Sequence, residues 1–160
     1  MRNVIFLLSC LFIASCSKEP TSSTLEALQS GAWQLKAIVN DQNDTTIAAS
    51  DPKYYDPATN EAVAIIMDFN EGKMYQGSTS RNTFEGRFSC NDSQNTLVFS
   101  SLNCSEATET ELGDLFFDKL VSNYGHHGHH GHHFENEFVM HGDTLTIYCA
   151  GSYYLRFNRI

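Results

Sequence analysis

An apolar run over residues 4–14 opens the chain, in "MRNVIFLLSCLFIASC", and everything after it is broken into short segments of alternating character. In "AWQLKAIV", Trp33, Leu35, Ala37 and Val39 alternate with Gln34, Lys36 and Ile38, the period-two pattern of a half-buried strand. Residues 25–30 before it suit a short helical turn. Residues 40–60 are rich in Asn, Asp and Thr and hold two Asp-Pro steps, which predicts a long surface loop with Tyr54 and Tyr55 packed back on the domain. From Ala62 a meander is expected: "AVAIIMDF", the turn "NEGK", "MYQGS", "NTFEGRFSC", the turn "NDSQN" and "TLVFS". Phe84 and Phe88 share a strand face with Gly86, and a strand glycine between aromatics marks a bend or a close approach by another backbone. Such bends let a sheet curl.

The pattern changes period once. Over 109–121, Leu112, Leu115, Phe116 and Leu120 fall on one helical face, widened by Phe117 and Val121. Thr108 is the expected cap, with Glu111 as its reciprocal partner and acids concentrated in the first turn. Three closing strands follow, "FENEFVM", "LTIYC" and "YYLRF". The order predicts an α+β fold: a strongly bent antiparallel sheet or partly open β-barrel of about 7–8 strands, with one main helix before the last three strands.

Composition bears on partners and compartment. Nineteen acidic against ten basic residues give a formal net charge of −9, which argues against nucleic-acid binding because phosphates would be repelled. The opening apolar run follows one positive charge, Arg2, and is too short to cross a bilayer of ~30 Å, so residues 1–15 read as a signal peptide. Its end, "IASC", resembles a bacterial lipobox. Cys16 then becomes the mature N-terminus and carries the diacylglycerol and palmitate chains of a membrane anchor. Residues 16–30 serve as anchor and tether, and "CSKE" resembles a surface-export signal of some bacterial lipoproteins. The expected location is the outer membrane, lipid-anchored, facing the periplasm or the surface. Residues 31–160 make one domain.

Only "GHHGHHGHH", residues 125–133, carries obvious chemistry. His126, His127, His129, His130, His132 and His133 offer imidazole nitrogens that suit Zn, Ni or Cu. Glycine at every third position leaves no fixed geometry, and ordering such a loop costs about 1–2 kcal/mol per residue. The tract is therefore weighed as a metal site against a polar insertion. Glu135 and Glu137 alternate onto one strand face nearby and are candidate oxygen ligands, while His141 reads as a turn residue. No G-x-S-x-G, H-E-x-x-H, phosphate-binding glycine loop or C-x-x-C occurs, so no enzyme is expected and no cofactor is required.

Several pieces in order resemble the META/HslJ-like family of small bacterial envelope proteins. They are "GAWQLKAI", "MDFNEGKMYQGSTSRNTFEGRF", "LVFSSLNC", "ETELGDLFFDKL" and "GDTLTIYCAGSYYLRF". The resemblance rests on Trp33, Gly77, Asn82, Phe84, Gly86, Phe88 and Cys104. It implies structural roles: the glycines shape the backbone, the phenylalanines fill the core, and Asn82 hydrogen-bonds a turn. It also implies a non-enzymatic accessory or interaction module in envelope stress tolerance, with the membrane and an envelope protein as partners. Divalent-metal capture by the His loop and lipocalin-like binding of a small ligand are the alternatives. Two departures stand out. The His tract has no counterpart in the family, and the family's usual cysteine before the asparagine is Arg81 here. With a hairpin bend at 92–95, Cys90 is expected near Leu97 and Cys104 near Thr83. Either a Cys104–Cys149 or a Cys90–Cys104 bridge remains open, and at most one forms.

Overall fold

The computed structural model describes residues 23–122 and 133–160. The helix α1 spans Thr24–Leu28, nucleated by a reciprocal cap in which the Ser23 hydroxyl accepts from the Glu26 amide at 3.2 Å and the Glu26 carboxylate accepts from the Ser23 amide at 3.0 Å. Strands β1 (Trp33–Asn40), β2 (Thr45–Ala48), β3 (Ile66–Asn70), β4 (Met74–Ser78), β5 (Thr83–Asn91) and β6 (Thr96–Cys104) follow. Then come α2 (Glu111–Leu120), β7 (His133–His141), β8 (Thr144–Cys149) and β9 (Tyr153–Arg159). Every pairing is antiparallel.

The predicted barrel with one main helix is present, but it is closed rather than partly open. Strand β9 pairs back onto β1 from Trp33↔Arg159 to Asn40↔Tyr153, so β1 and β3 through β9 form a ring of eight, with β2 as a ninth strand outside it. Closure leaves the ring itself without an unpaired edge. The other edge of β1 is shared: Trp33 and Gln34 pair with β3, and the run from Ala37 to Asn40 pairs with β2. The stretch expected to be a loop over 40–60 therefore contains a short strand, and β3 begins at Ile66 rather than Ala62.

A β-bulge at Lys36 also corrects the expected face of β1. The register shifts between Leu35 and Ala37, so Trp33, Leu35 and Ile38 all point into the main core, although alternation puts Ile38 with the polar set. The barrel interior is filled by rings. Phe99 stacks on Phe134 at 5.2 Å, Tyr75 meets Phe99 edge-on at 5.0 Å and Phe69 meets Phe88 edge-on at 4.9 Å.

α2 packs Leu112, Phe116 and Leu120 into the same core, the Phe116 ring 5.6 Å from Phe84. It is shorter than the expected 109–121, and its cap is Thr110, whose hydroxyl accepts from the Gly113 amide at 3.1 Å, not Thr108. Glu109 is engaged elsewhere, as described below.

The antiparallel order gives the barrel two unlike ends. At one lie α1, the β3–β4, β5–β6 and β7–β8 turns and the end of β9. Gln29 Nε2 donates to the Asn70 carbonyl there at 2.7 Å, and Arg159 Nη2 to the Ala27 carbonyl at 3.3 Å. At the other lie the β1–β2 turn, the loop after β2, the β4–β5 turn, α2 with its flanking segments, and the β8–β9 turn. The Asp41 amide donates to the Ser152 carbonyl there at 2.9 Å, and the Ala150 amide to Ser122 Oγ at 3.2 Å.

Candidate functional site

Five of the seven residues that carried the family resemblance, Gly77, Asn82, Phe84, Gly86 and Phe88, lie on β4, β5 and the turn between them. Gly77 pairs with Phe84 across the ladder, and a Cβ on Gly77 would sit 2.3 Å from both the Ile66 carbonyl oxygen and Phe84 Cζ. The Phe84 ring lies over the glycine and takes that space. Gly86 pairs with Tyr75 in the same way, and a Cβ there would meet the Ser101 carbonyl oxygen at 2.1 Å and the Tyr75 ring at 2.6 Å. The expected close approach of another backbone is therefore Ser101 on β6.

Ser101 explains that approach. The β5–β6 register shifts between Glu85 and Arg87, so β6 carries one residue more than β5 opposite Gly86, and Ser101 adopts φ +96°. A bulge leaves its carbonyl without a ladder partner. Tyr75 Oη donates to it at 2.6 Å, and burial pushes the phenol pKa up, which keeps the proton on the donor. The bulge also places Cys104 opposite Phe84, one residue from the expected Thr83, whereas Cys90 faces Leu97 as read from the hairpin.

Asn82 does more than close a turn. Its Nδ2 donates to the Ala107 carbonyl at 2.7 Å and to Glu109 Oε1 at 2.6 Å, while its Oδ1 accepts from Ser105 Oγ at 2.8 Å and the Ala107 amide at 2.9 Å. Thr79 Oγ1 donates to the same Glu109 oxygen at 2.6 Å. Asn82 is 3 % exposed, so these bonds satisfy a buried amide completely and tie the β4–β5 turn to the segment entering α2. Beside it Arg81 grips Asp56 in the loop after β2, Nε to Oδ2 at 2.8 Å and Nη2 to Oδ1 at 2.5 Å. The Arg81 guanidinium, helped by the Ala58 amide, holds the Asp56 carboxyl down at about 2. Where the family resemblance led one to expect a cysteine, this chain thus has an ion pair that pins a different loop.

Among the described residues Cys90, Cys104 and Cys149 are all free thiols, so neither bridge left open by the sequence forms. Burial pushes the Cys90 and Cys149 thiols up to about 12, which keeps them protonated and unreactive. Trp33 and Phe88 are core residues, the Trp33 Nε1 donating to the Leu28 carbonyl at 2.9 Å.

Outside the barrel, the bent β3–β6 face forms a groove of about 550 Å³. One rung of side chains crosses it, Asp68–Gln76–Glu85–Asn103, each the register partner of the next. With two carboxylates and no basic residue in its lining, the groove favours hydrogen-bond donors and cationic groups. The signal for it in the sequence was alternation itself, since these are the outward positions opposite Phe69, Tyr75 and Phe84.

Cys16 and the histidines from His126 to His132 lie outside the described residues. His133 begins β7 and is exposed, and Glu135 and Glu137 follow it on the same outward face. Among the described residues no three His, Cys, Asp or Glu side chains are gathered as a metal site.

No protein-family model matches the chain, and no curated protein matches it. Among the solved structures similar in fold are the following two. An NMR structure of a protein from Burkholderia xenovorans has TM-score 0.57 at 13% identity, covering 96% of this chain and 99% of that one. A crystal structure of a DUF4847 family protein from Bacteroides vulgatus ATCC 8482 has TM-score 0.55 at 16% identity, covering 83% of this chain and 94% of that one. At these identities the likeness is one of fold.

Proposed function

We propose that the chain is an outer-membrane lipoprotein of META/HslJ-like kind, held by acylated Cys16, whose barrel is a non-enzymatic accessory or interaction module in envelope stress tolerance. The observation that supports it most is the use of the resembling residues: Gly77 under Phe84, Gly86 under Tyr75, and Asn82 binding the turn to α2 are roles that shape a barrel. The polar groove on β3–β6 offers such a module a face for a partner. The barrel interior offers little to a lipocalin-like reading, because Tyr75, Phe99 and Phe134 occupy its centre.

A second reading, divalent-metal capture by the His tract, draws on the placement of His133, Glu135 and Glu137 along one exposed strand face directly after it. One set of strains separates the two. A deletion strain is challenged with heat, envelope-active drugs and zinc, copper or nickel, and complemented by the wild type, by a chain lacking 125–133, and by Cys16→Ala. The leading reading expects stress sensitivity on deletion, full rescue by the loop-deleted chain, and poor rescue by Cys16→Ala, which leaves the membrane fraction. Unchanged stress tolerance on deletion overturns it. Metal sensitivity shared by the deletion strain and the strain complemented without 125–133, and rescued by the wild type, establishes the second reading in its place.

A further inference from the structure

We propose that, in the anchored protein, the α1 end of the barrel rests on the lipid headgroups of the membrane that holds Cys16, and the α2 end is held away from that membrane. The proposal rests on the reading of Cys16 as the acylated residue.

The first argument is reach. Residues 17–22 separate Cys16 from Ser23, which caps α1. Seven steps of chain reach at most about 25 Å. The strands β5 and β7 have nine residues each, which at ~3.3 Å per residue and a tilt of about 40° gives a barrel height near 23 Å. Any span short of that maximum therefore keeps the α1 end nearer the headgroups, whereas bringing the α2 end down needs almost the whole of the reach.

The second argument is charge. The loop side of the α2 end carries Asp41, Asp44, Asp51, Asp56 and Glu61 against Lys53. The segment through α2 adds Glu106, Glu109, Glu111, Asp114 and Asp118 against Lys119, with Arg81 already paired to Asp56. The α1 end carries a smaller excess of acid: Glu26, Glu71, Asp92 and Asp143 stand against Lys73 and Arg159, with Asp143 3.6 Å from Arg159. Anionic headgroups repel the α2 end more strongly than the α1 end within a Debye length of ~8 Å.

The orientation has a consequence for the His tract. Its flanking residues, Ser122 and His133, both belong to the α2 end, so the tract is attached on the side turned away from the membrane. A partner or metal ion arriving from that side meets the acidic loops and the two residues that flank the tract first.

The test uses the natively acylated full protein in phosphatidylcholine vesicles, with and without phosphatidylglycerol, carrying an acceptor dye on a headgroup. Cys104→Ser removes the exposed thiol, and one donor dye is attached through Ser93→Cys in the β5–β6 turn or Asn43→Cys in the β1–β2 turn. Mass spectrometry of the N-terminal peptide first reports acylation at Cys16; its absence overturns both the lipoprotein reading and this proposal. With the acyl group present, the expected result is strong transfer from Ser93→Cys and weak transfer from Asn43→Cys, corresponding to about 20 Å of difference in height. Equal transfer from the two sites means the barrel tumbles freely, and stronger transfer from Asn43→Cys means the acidic end faces the lipid. Either overturns the orientation while leaving the anchor intact.

Discussion

Replacing Gly86 by alanine tests the packing at the β6 bulge, where the Ser101 carbonyl and the Tyr75 ring occupy the space over the glycine. The new Cβ would sit 2.1 Å from the Ser101 carbonyl oxygen and 2.6 Å from Tyr75 Cε1 and Oη. Ordinary carbon contacts begin near 3.5 Å, and the closest obstacle is backbone, so β6 or the Tyr75 ring must move by about 1 Å. Overpacking of this kind costs roughly 1–3 kcal/mol. If the ring moves, the part-buried Ser101 carbonyl also loses its donor, a further ~1–3 kcal/mol. The expected loss with both terms is about 2–6 kcal/mol, a large share of the ~5–15 kcal/mol that holds a domain together. Urea unfolding followed by Trp33 measures it, since Trp33 is the single tryptophan and is fully buried. Gly72→Ala is the control: the nearest atom to its Cβ is Met74 Cγ at 3.9 Å, so it changes stability by less than about 0.5 kcal/mol. Tyr75→Phe alone costs ~1–2 kcal/mol through the same carbonyl. Because alanine at Gly86 and the Tyr75 hydroxyl compete for one space, the double variant is less destabilised than the sum by more than ~0.5 kcal/mol. A Gly86→Ala protein as stable as wild type, or strict additivity with Tyr75→Phe, refutes the reasoning.

Two further outcomes follow from charge and burial. The Arg81 guanidinium lowers the Asp56 carboxyl from 3.8 to about 2, so folding favours its ionised form; that contribution is whole above about pH 4 and is lost as pH falls through about 2. Melting temperatures measured over this window should fall more steeply for wild type than for Asp56→Asn, and parallel curves count against the ion pair. For the thiols, iodoacetamide at mild alkaline pH should modify exposed Cys104 first, with Cys90 and Cys149 reacting only on unfolding, because burial holds both near 12. Peptide mapping that finds Cys149 modified as fast as Cys104 contradicts the burial of that side chain.

What was legible in the sequence was what a single segment decides by its own period. The alternation of "NTFEGRF" placed Phe84 and Phe88 inside, and the helical spacing of Leu112, Phe116 and Leu120 marked the core stripe of α2. What escaped was decided by a second segment far along the chain. Closure depends on β9 meeting β1, which no local pattern carries, and the bulge at Lys36 that turns Ile38 inward exists because β9 has one residue fewer to offer there. The same holds for the cap of α2. Thr108 and Thr110 are equivalent by local chemistry, and the choice falls to Thr110 because Glu109 Oε1 is bound by Asn82 and Thr79 from a turn some thirty residues earlier. Asn82 itself was readable as a turn residue but not as the link between two loops, since its partners Ala107 and Glu109 are main-chain and acidic groups that any loop supplies. Arg81 shows the limit of reading by family resemblance. Its position raised the question of a missing bridge, while its partner, Asp56, lay in a stretch whose Asn, Asp and Thr content signalled only a loop. Side chains that fill a core announce themselves by spacing; those that join loops are identified only once the barrel has brought the loops together.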